Sequence, residues 1–295
     1  LHKTAYLCLI IATLCWGGNA VAGKLALGHI SPMMLAFCRW FLATALIFAI
    51  SIPQLVRDWP VARRHLPLLF FYGVVGYTTF NAVLYSALHY TTAINVTIEQ
   101  AAIPMLIFVI NFALFRMKVS LAQIAGFALT LVGVGMTAAH GDLASLLTLT
   151  LNFGDALMII ALVAYAVYTV ALRWKPAIHW RSLMALPALV AMLTSAPLAV
   201  WEWSSGSGLW PDARGWTIAN YTAVFASLVA QILYIFGVER IGGNRAGLFI
   251  NLVPVFGTLL SVAILGEELH LYHAAALVLA LGGIAIAEWG KPAAT

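Results

Sequence analysis

Stretches of about 20 apolar residues, each long enough to cross a bilayer core of roughly 30 Å as a helix, recur from end to end of this 295-residue chain. Wherever lipid surrounds such a chain, every backbone N–H and C=O must be satisfied internally, which leaves helices or a closed barrel. The alternation expected of barrel strands is absent, so the fold class is all-α. Composition agrees. Hydrophobic residues make up 63% of the chain and charged residues 8%, against about 45–50% and 25% in soluble domains, and so few charges cannot cover a soluble surface of this size. The chain reads as a polytopic membrane protein.

Charged and Pro/Gly-rich punctuation divides it into ten spans: 4–27, 32–52, 66–89, 92–115, 119–139, 152–173, 182–203, 215–239, 244–265 and 269–289. The opening stretch has the charge-then-apolar look of a signal peptide. It lacks an A-x-A-like cleavage site and continues at spanning length, so it reads as the first span. With the amino terminus in the cytoplasm, Lys and Arg divide twelve inside to three outside (Lys24, Arg39 and Arg214), which places both termini inside. The net charge of +5 does not indicate nucleic acid, because the basic residues lie between apolar runs rather than in a patch. Cys8, Cys15 and Cys38 fall within spans and read as small buried hydrophobes. No metal or other cofactor is expected.

Sliding the chain by 150 positions superposes its halves: Pro104 falls on Pro254, Ala113 on Ala263, Leu129 on Leu279, Gly133 on Gly283, and polar Asn81 on polar Gln231. Residues 1–145 and 146–295 then form two five-span repeats. Five is odd, so the second repeat lies inverted in the membrane. Inverted repeats are a common plan of secondary transporters, with the substrate site near the midplane between them. Pro104 and Pro254, in spans four and nine, each remove a helical N–H and free the carbonyl four residues earlier, on Gln100 and Ile250. Matched interruptions of this kind point to a transport site, although membrane helices also tolerate proline kinks as packing.

Gly18, Gly23 and Lys24 match most of the phosphate-binding pattern G-x-x-x-x-G-K. A phosphate loop needs a preceding strand and a Ser or Thr after the Lys; here Leu25 follows, and the glycines sit inside an apolar span. They read as close-packing positions, with Lys24 snorkelling to the outer interface.

The segments "LCWGGNAVAGKLAL", "LAFCRWFLATAL", "ALHYTTAINVTI" and "NLVPVFGTLLSVAILGEELHLYHAAALVLALGGIAIA" resemble the ten-helix exporters of the drug/metabolite transporter superfamily, which are built from two EamA-type repeats. The Trp-Gly of span one, the Arg of span two, the mid-helix Pro and the Gly-Glu after span nine carry the likeness. One departure is visible, Arg116-Met117 where the second repeat has Gly266-Glu267. The resemblance implies export of small metabolites by alternating access in a bacterial-type cytoplasmic membrane, and the chain is most similar to amino acid exporters of the aromatic branch. Drug or nucleoside-type carriers are the alternative.

Polar residues inside spans are costly and face a bundle interior or a wet cavity. They form stripes at helical spacing: Trp16, Asn19 and Gly23; Tyr77, Asn81 and Tyr85; Asn95 and Glu99; Tyr165, Tyr168 and Thr169; Ser227, Gln231 and Tyr234; Asn244, Gly247 and Asn251. The family fold lines its cavity from these six spans. Read alone, each stripe serves equally as helix-to-helix contact. Trp, Tyr and neutral amides with few fixed charges suit an uncharged or zwitterionic amphipathic solute. Glu99 reads as the one carboxylate well inside a span, roughly 10 Å from its end. It is expected to pair with Arg39 or Lys24, or to carry a proton. Glu267, Glu268, His270 and His273 read as solvated interface rather than a metal cluster. H-E-x-x-H and G-x-S-x-G are absent, against an intramembrane enzyme. An inverted repeat joined in one chain needs no partner to complete its path, so a functional monomer in contact with lipid is expected. Gly126 and Gly133 in span five, with Ala276 and Gly283 in span ten, are placed for close helix contact.

Overall fold

The computed structural model describes residues 2–116, 120–141 and 152–289. Every regular element among them is helical. Helix α1 (His2–Leu25) and helix α2 (Pro32–Ala62) come first. A tight turn at Arg63–His65 leads into α3 (Leu66–Phe71), a π-helical segment Tyr72–Thr79, and α4 (Phe80–Ala87). Helix α5 (Ala93–Glu99) passes through a 3₁₀ turn at Gln100–Ala102 into α6 (Ile103–Phe115), and α7 (Leu121–Ala138) follows. Then come α8 (Phe153–Ala171) and α9 (Trp180–Ser204). Helix α10 (Ala213–Tyr221) runs through a second π segment, Thr222–Val229, into α11 (Ala230–Ile241). Last are α12 (Gly243–Ile250), α13 (Leu252–Leu260) with its π end Ser261–Leu265, and α14 (Leu271–Trp289).

Local chemistry sets several of these starts. Pro32 follows Ser31 at the head of α2, where its missing N–H costs nothing. Ser120 and Gln123 cap α7 reciprocally. Thr92, Asn152 and Asp212 each accept a backbone N–H at the head of α5, α8 and α10.

By length and hydropathy, seven helical stretches among the described residues can cross a membrane, with two shorter apolar ones at Leu252–Leu265 and Leu271–Ala287. One of the seven, Pro32–Ala87, is 56 residues long. It folds back at Arg63–His65, so that α2 packs on α4. Span two therefore does not stop at 52 but continues to Ala62 through Pro53 and Pro60. Its extra turns are anchored by Asp58, which accepts the Ser182 hydroxyl at 2.6 Å and the His179 N–H at 3.0 Å.

The repeat seen in the sequence is also a repeat of irregularities. The π segments Tyr72–Thr79 and Thr222–Val229 are related by the same shift of 150 that relates the halves. Pro104 follows a break at Gln100–Ala102, and Pro254 follows one at Asn251. Helices α2 and α9 pack as one pair and α7 and α14 as another. In the second pair a Cβ on Gly126 would strike the Gly283 carbonyl, and one on Gly133 would lie 2.7 Å from the Ala276 carbonyl. These two contacts exchange under the shift of 150. Between them Thr130 donates to the Ala280 carbonyl at 3.3 Å. The small residues thus join the repeats within one chain. Gly17 does similar service in α1, where a Cβ would lie 2.7 Å from the Gly257 nitrogen.

Candidate functional site

Two turns into α2, Arg39 is 6% exposed and points into the bundle. Its Nε donates to the Ser227 hydroxyl at 2.8 Å. The two N–H groups of its Nη1 are shared among Asn19 Oδ1 at 2.8 Å, Asn81 Oδ1 at 2.7 Å and the Tyr85 hydroxyl at 2.6 Å. The acceptors are held in turn. Asn81 donates its amide to the Tyr77 carbonyl at 2.7 Å, which aims its oxygen at the arginine. Tyr85 donates to Asn19 Oδ1 at 3.0 Å, and Ser227 to the Thr222 carbonyl at 2.9 Å. That last bond spans five residues because Ser227 sits in a π turn.

All four partners are neutral. They solvate the guanidinium but leave its charge uncancelled, and no carboxylate among the described residues lies within ion-pairing distance of it. Nη2 has no hydrogen-bond partner among the described residues. An unneutralised cation inside a membrane bundle costs several kcal/mol, so its neighbourhood favours an anion.

Aromatic rings border this centre. Trp40 and Tyr77 stack with centroids 4.6 Å apart. Tyr77 meets Tyr168 at 5.8 Å, Tyr168 meets Tyr165 at 5.6 Å, and Phe80 meets Tyr165 at 4.8 Å. Trp16 packs on Tyr234 at 5.3 Å and donates to the Ala226 carbonyl at 3.1 Å; Tyr234 in turn faces Tyr165. Trp16, Tyr77, Tyr165, Tyr168, Gln231 and Tyr234 are half-buried, while Asn19, Asn81 and Tyr85 are buried. Along α1, α3–α4 and α10–α11 the half-buried groups lie toward the side where α1 begins, and the buried ones toward the side where it ends. The rings on the first side keep partial exposure, and the amides on the second do not.

The structure brings Trp16, Asn19, Tyr77, Asn81, Tyr85, Tyr165, Tyr168, Ser227 and Tyr234 into one constellation. Gln231 lies one turn beyond Ser227, and Asn251 is half-buried at the α12–α13 break. The Asn244 side chain lies outside the described residues. Asn95 and Glu99 stand apart. Asn95 donates to Thr91 Oγ1 at 3.2 Å and faces His273 Nε2 at 3.2 Å. Glu99 faces Asp155.

Three expectations are corrected here. Glu99 pairs with neither Arg39 nor Lys24, because α5 turns it toward α8. Lys24 does not snorkel outward; it donates to the Leu88 and Thr91 carbonyls at 2.8 and 2.7 Å, at the negative end of α4. Glu267 and His273 are not solvated interface. Glu267 accepts the Ala93 and Ile94 N–H groups at 2.8 and 2.9 Å, capping α5, and His273 is 3% exposed. Sequence reasoning missed Asp155, 1% exposed in the first turn of α8, where an acidic residue ordinarily passes as helix-start chemistry. It also missed Trp40, whose only signal was its place beside Arg39.

The EamA-like transporter family matches residues 3–139 and again 152–289, one match per structural repeat. The chain belongs to this family. Among relatives of this EamA-like transporter, YetK of Bacillus subtilis (strain 168), described as an uncharacterized transporter, is 27% identical over 95% of this chain and 85% of its own. YyaM of the same organism, with the same description, is 24% identical over 97% of this chain and 94% of its own. An uncharacterized transporter of Archaeoglobus fulgidus is 26% identical over 96% of this chain and 97% of its own. A crystal structure shares the fold with a TM-score of 0.65 at 22% identity, covering 97% of this chain and 96% of that one. The EamA-like chain is a multi-pass integral membrane protein that transports small molecules through a helical bundle. It is a transporter and not an enzyme, and no group of His, Cys, Asp or Glu among the described residues is placed to hold a metal ion.

Proposed function

We propose that this transporter exports small amphipathic metabolites, amino acids with aromatic side chains among them, from the cytoplasm across a bacterial-type inner membrane. The observation that carries this reading is Arg39, a buried cation with neutral partners and an unengaged Nη2 edge, set against half-buried aromatic rings. A substrate carboxylate supplies the missing anion, and its apolar side chain lies against Tyr77, Tyr165 and Tyr168. A sugar phosphate would call for further cations, and among the described residues Arg39 stands alone at this centre.

The ten-span reading, as two inverted five-span repeats over 1–145 and 146–295, draws support from the fold-back at Arg63–His65 and the paired π segments. With Lys and Arg concentrated at the side where α1 begins, that side is cytoplasmic. On this reading the half-buried rings face inward, and alternating access turns the Arg39 centre from one side to the other. A functional monomer is part of this reading, because two inverted repeats joined in one chain need no partner to complete the path. The test is counterflow in proteoliposomes with radiolabelled phenylalanine, a nucleoside and a cationic drug. Phenylalanine movement supports the reading. Drug or nucleoside movement without any amino acid movement refutes it.

A further inference from the structure

Outside the arginine centre, the bundle holds a second cluster of ionisable groups that the transport reading does not use. Glu99 on α5 and Asp155 on α8 are 3% and 1% exposed and face each other. No well-formed hydrogen bond reaches their four carboxyl oxygens; the close groups are the two acids themselves and the Thr91 hydroxyl. Two carboxylates side by side and both shut away from water cannot both stay ionised there: each lacks solvation and repels the other. A single proton resolves this, because an O–H on one acid donates to the other's oxygen, as in carboxyl dyads that share one proton.

Among the described residues the one basic side chain facing the pair is His140. From the loop before α5, the Thr91 hydroxyl faces Asp155. Beyond the end of α7, His140 faces Asp155 and is exposed. From α14, Tyr272 faces Asp155, and His273, engaged with Asn95, faces His140 and His270. Lys24 at the end of α1 is occupied by the Leu88 and Thr91 carbonyls. Glu267 is turned to the N–H groups at the head of α5. A surface crevice of about 570 Å³, lined by Met136, His140, Gly141, Leu271, Tyr272 and Ala275, opens beside the pair. His140 and Tyr272 belong both to the crevice and to the groups facing Asp155, so they stand between the crevice and the buried acids.

We propose that Glu99 and Asp155 share one proton, taken from water at the His140 crevice, and that this proton is exchanged for substrate in each cycle. Binding forms one carboxyl O–H bond as a hydronium ion in the crevice water gives up one of its own, and takes the pair from −2, held only while it faces water, to −1; release to water on the opposite side breaks that bond and re-forms hydronium. The link to Arg39 runs along α4. Tyr85 on that helix holds the arginine, and Thr91 just beyond its end faces Asp155. Gly154 presses there too, since a Cβ on it would lie 2.8 Å from the Ala87 carbonyl. Charge on the pair therefore acts on the helix that positions the substrate's cation.

Two measurements decide this. Infrared difference spectra of the liposome-embedded protein read protonated carboxyl directly and need no substrate. The wild type is expected to show a protonated carboxyl band at neutral pH that is lost in the Glu99→Gln/Asp155→Asn double variant. Absence of the band in the wild type, or its survival in the double variant, overturns the shared proton. In proteoliposomes with a gradient of one pH unit and equal phenylalanine on both sides, one-for-one exchange drives about a tenfold concentration ratio. Glu99→Gln and Asp155→Asn are each expected to return that ratio to about one while phenylalanine counterflow persists. A wild type that performs counterflow without any pH-driven accumulation overturns the coupling. A wild type that moves no phenylalanine at all fails the amino acid reading instead, and the infrared result still stands for the pair.

Discussion

Replacing Arg39 with Gln isolates the charge from the scaffold. The surrounding polar groups keep partners without it: Asn19 Oδ1 still accepts from Tyr85 at 3.0 Å, and Asn81 still donates to the Tyr77 carbonyl at 2.7 Å. What disappears is a cation whose Nη2 edge is free for a ligand. A hydrogen bond to a charged group is worth about 1.5–3 kcal/mol, and opposite charges about 4 Å apart attract by about 4 kcal/mol at an intermediate effective dielectric. The apparent affinity for phenylalanine should therefore fall between about 10-fold and 10³-fold. The assay is half-saturation in proteoliposome counterflow, with phenylalanine compared against phenethylamine, which keeps the ring and the amine but has no carboxylate. Arg39→Gln should weaken the first and leave the second unchanged or improved. Equal weakening of both would falsify the carboxylate role and reduce Arg39 to a structural tie between α1, α2, α4 and the second π segment.

Other outcomes follow from the packing and caps. Gly126→Ala places a methyl against the Gly283 backbone, which cannot yield as a flexible side chain can. It should cost about 1–3 kcal/mol, seen as a lowered unfolding temperature in detergent. Glu267→Gln keeps the shape but removes the carboxylate's charge from the head of α5. The expected loss is about 0.3–2 kcal/mol of stability, with Ala93 and Ile94 exchanging their amide hydrogens faster. Asp212 accepts from His29 and from the Gly215 N–H, which hold its carboxyl below the usual carboxylate range. Because its folded value is depressed, its contribution is full above the ordinary value near 3.9 and is lost as pH falls through the lower folded one. Hydrogen exchange at Gly215 should stay slow in mild acid and quicken only in stronger acid.

Much of this architecture was legible because lipid leaves a chain few choices. Runs of apolar residues long enough to span marked the helices, and Pro104 and Pro254 located both breaks. Asn19, Asn81, Tyr85 and Ser227 stood out as polar groups on apolar helices, and the fold gathers these four about Arg39. The partners of the charges did not. Helical spacing gives the face on which Glu99 sits but not the rotation of α5 about its own axis, and that rotation turned the acid to Asp155 instead of Arg39. Lys24 was misread because its carbonyl acceptors belong to a turn 64 residues away in sequence. Span two was cut short at Pro53 since a proline and nearby charges normally end a helix, whereas here Asp58 anchors the extra turns on α9.

The two π segments carry a consequence for how this chain can vary. An α-helix turns 100° per residue, and a wide turn takes in one residue more than an α turn. In spans three and eight the wide turn thus absorbs one residue without turning the half above it relative to the half below. Removing one residue from Tyr72–Thr79 would let an ordinary α turn replace the wide one, and Asn81 and Tyr85 would keep their side toward Arg39 relative to Tyr72 below. The same deletion in the regular helix above or below would swing the amide ring about a quarter-turn from the aromatic wall. Related chains that lack the wide turn can therefore solvate their membrane arginine with the same side chains, one residue closer in sequence to the wall below.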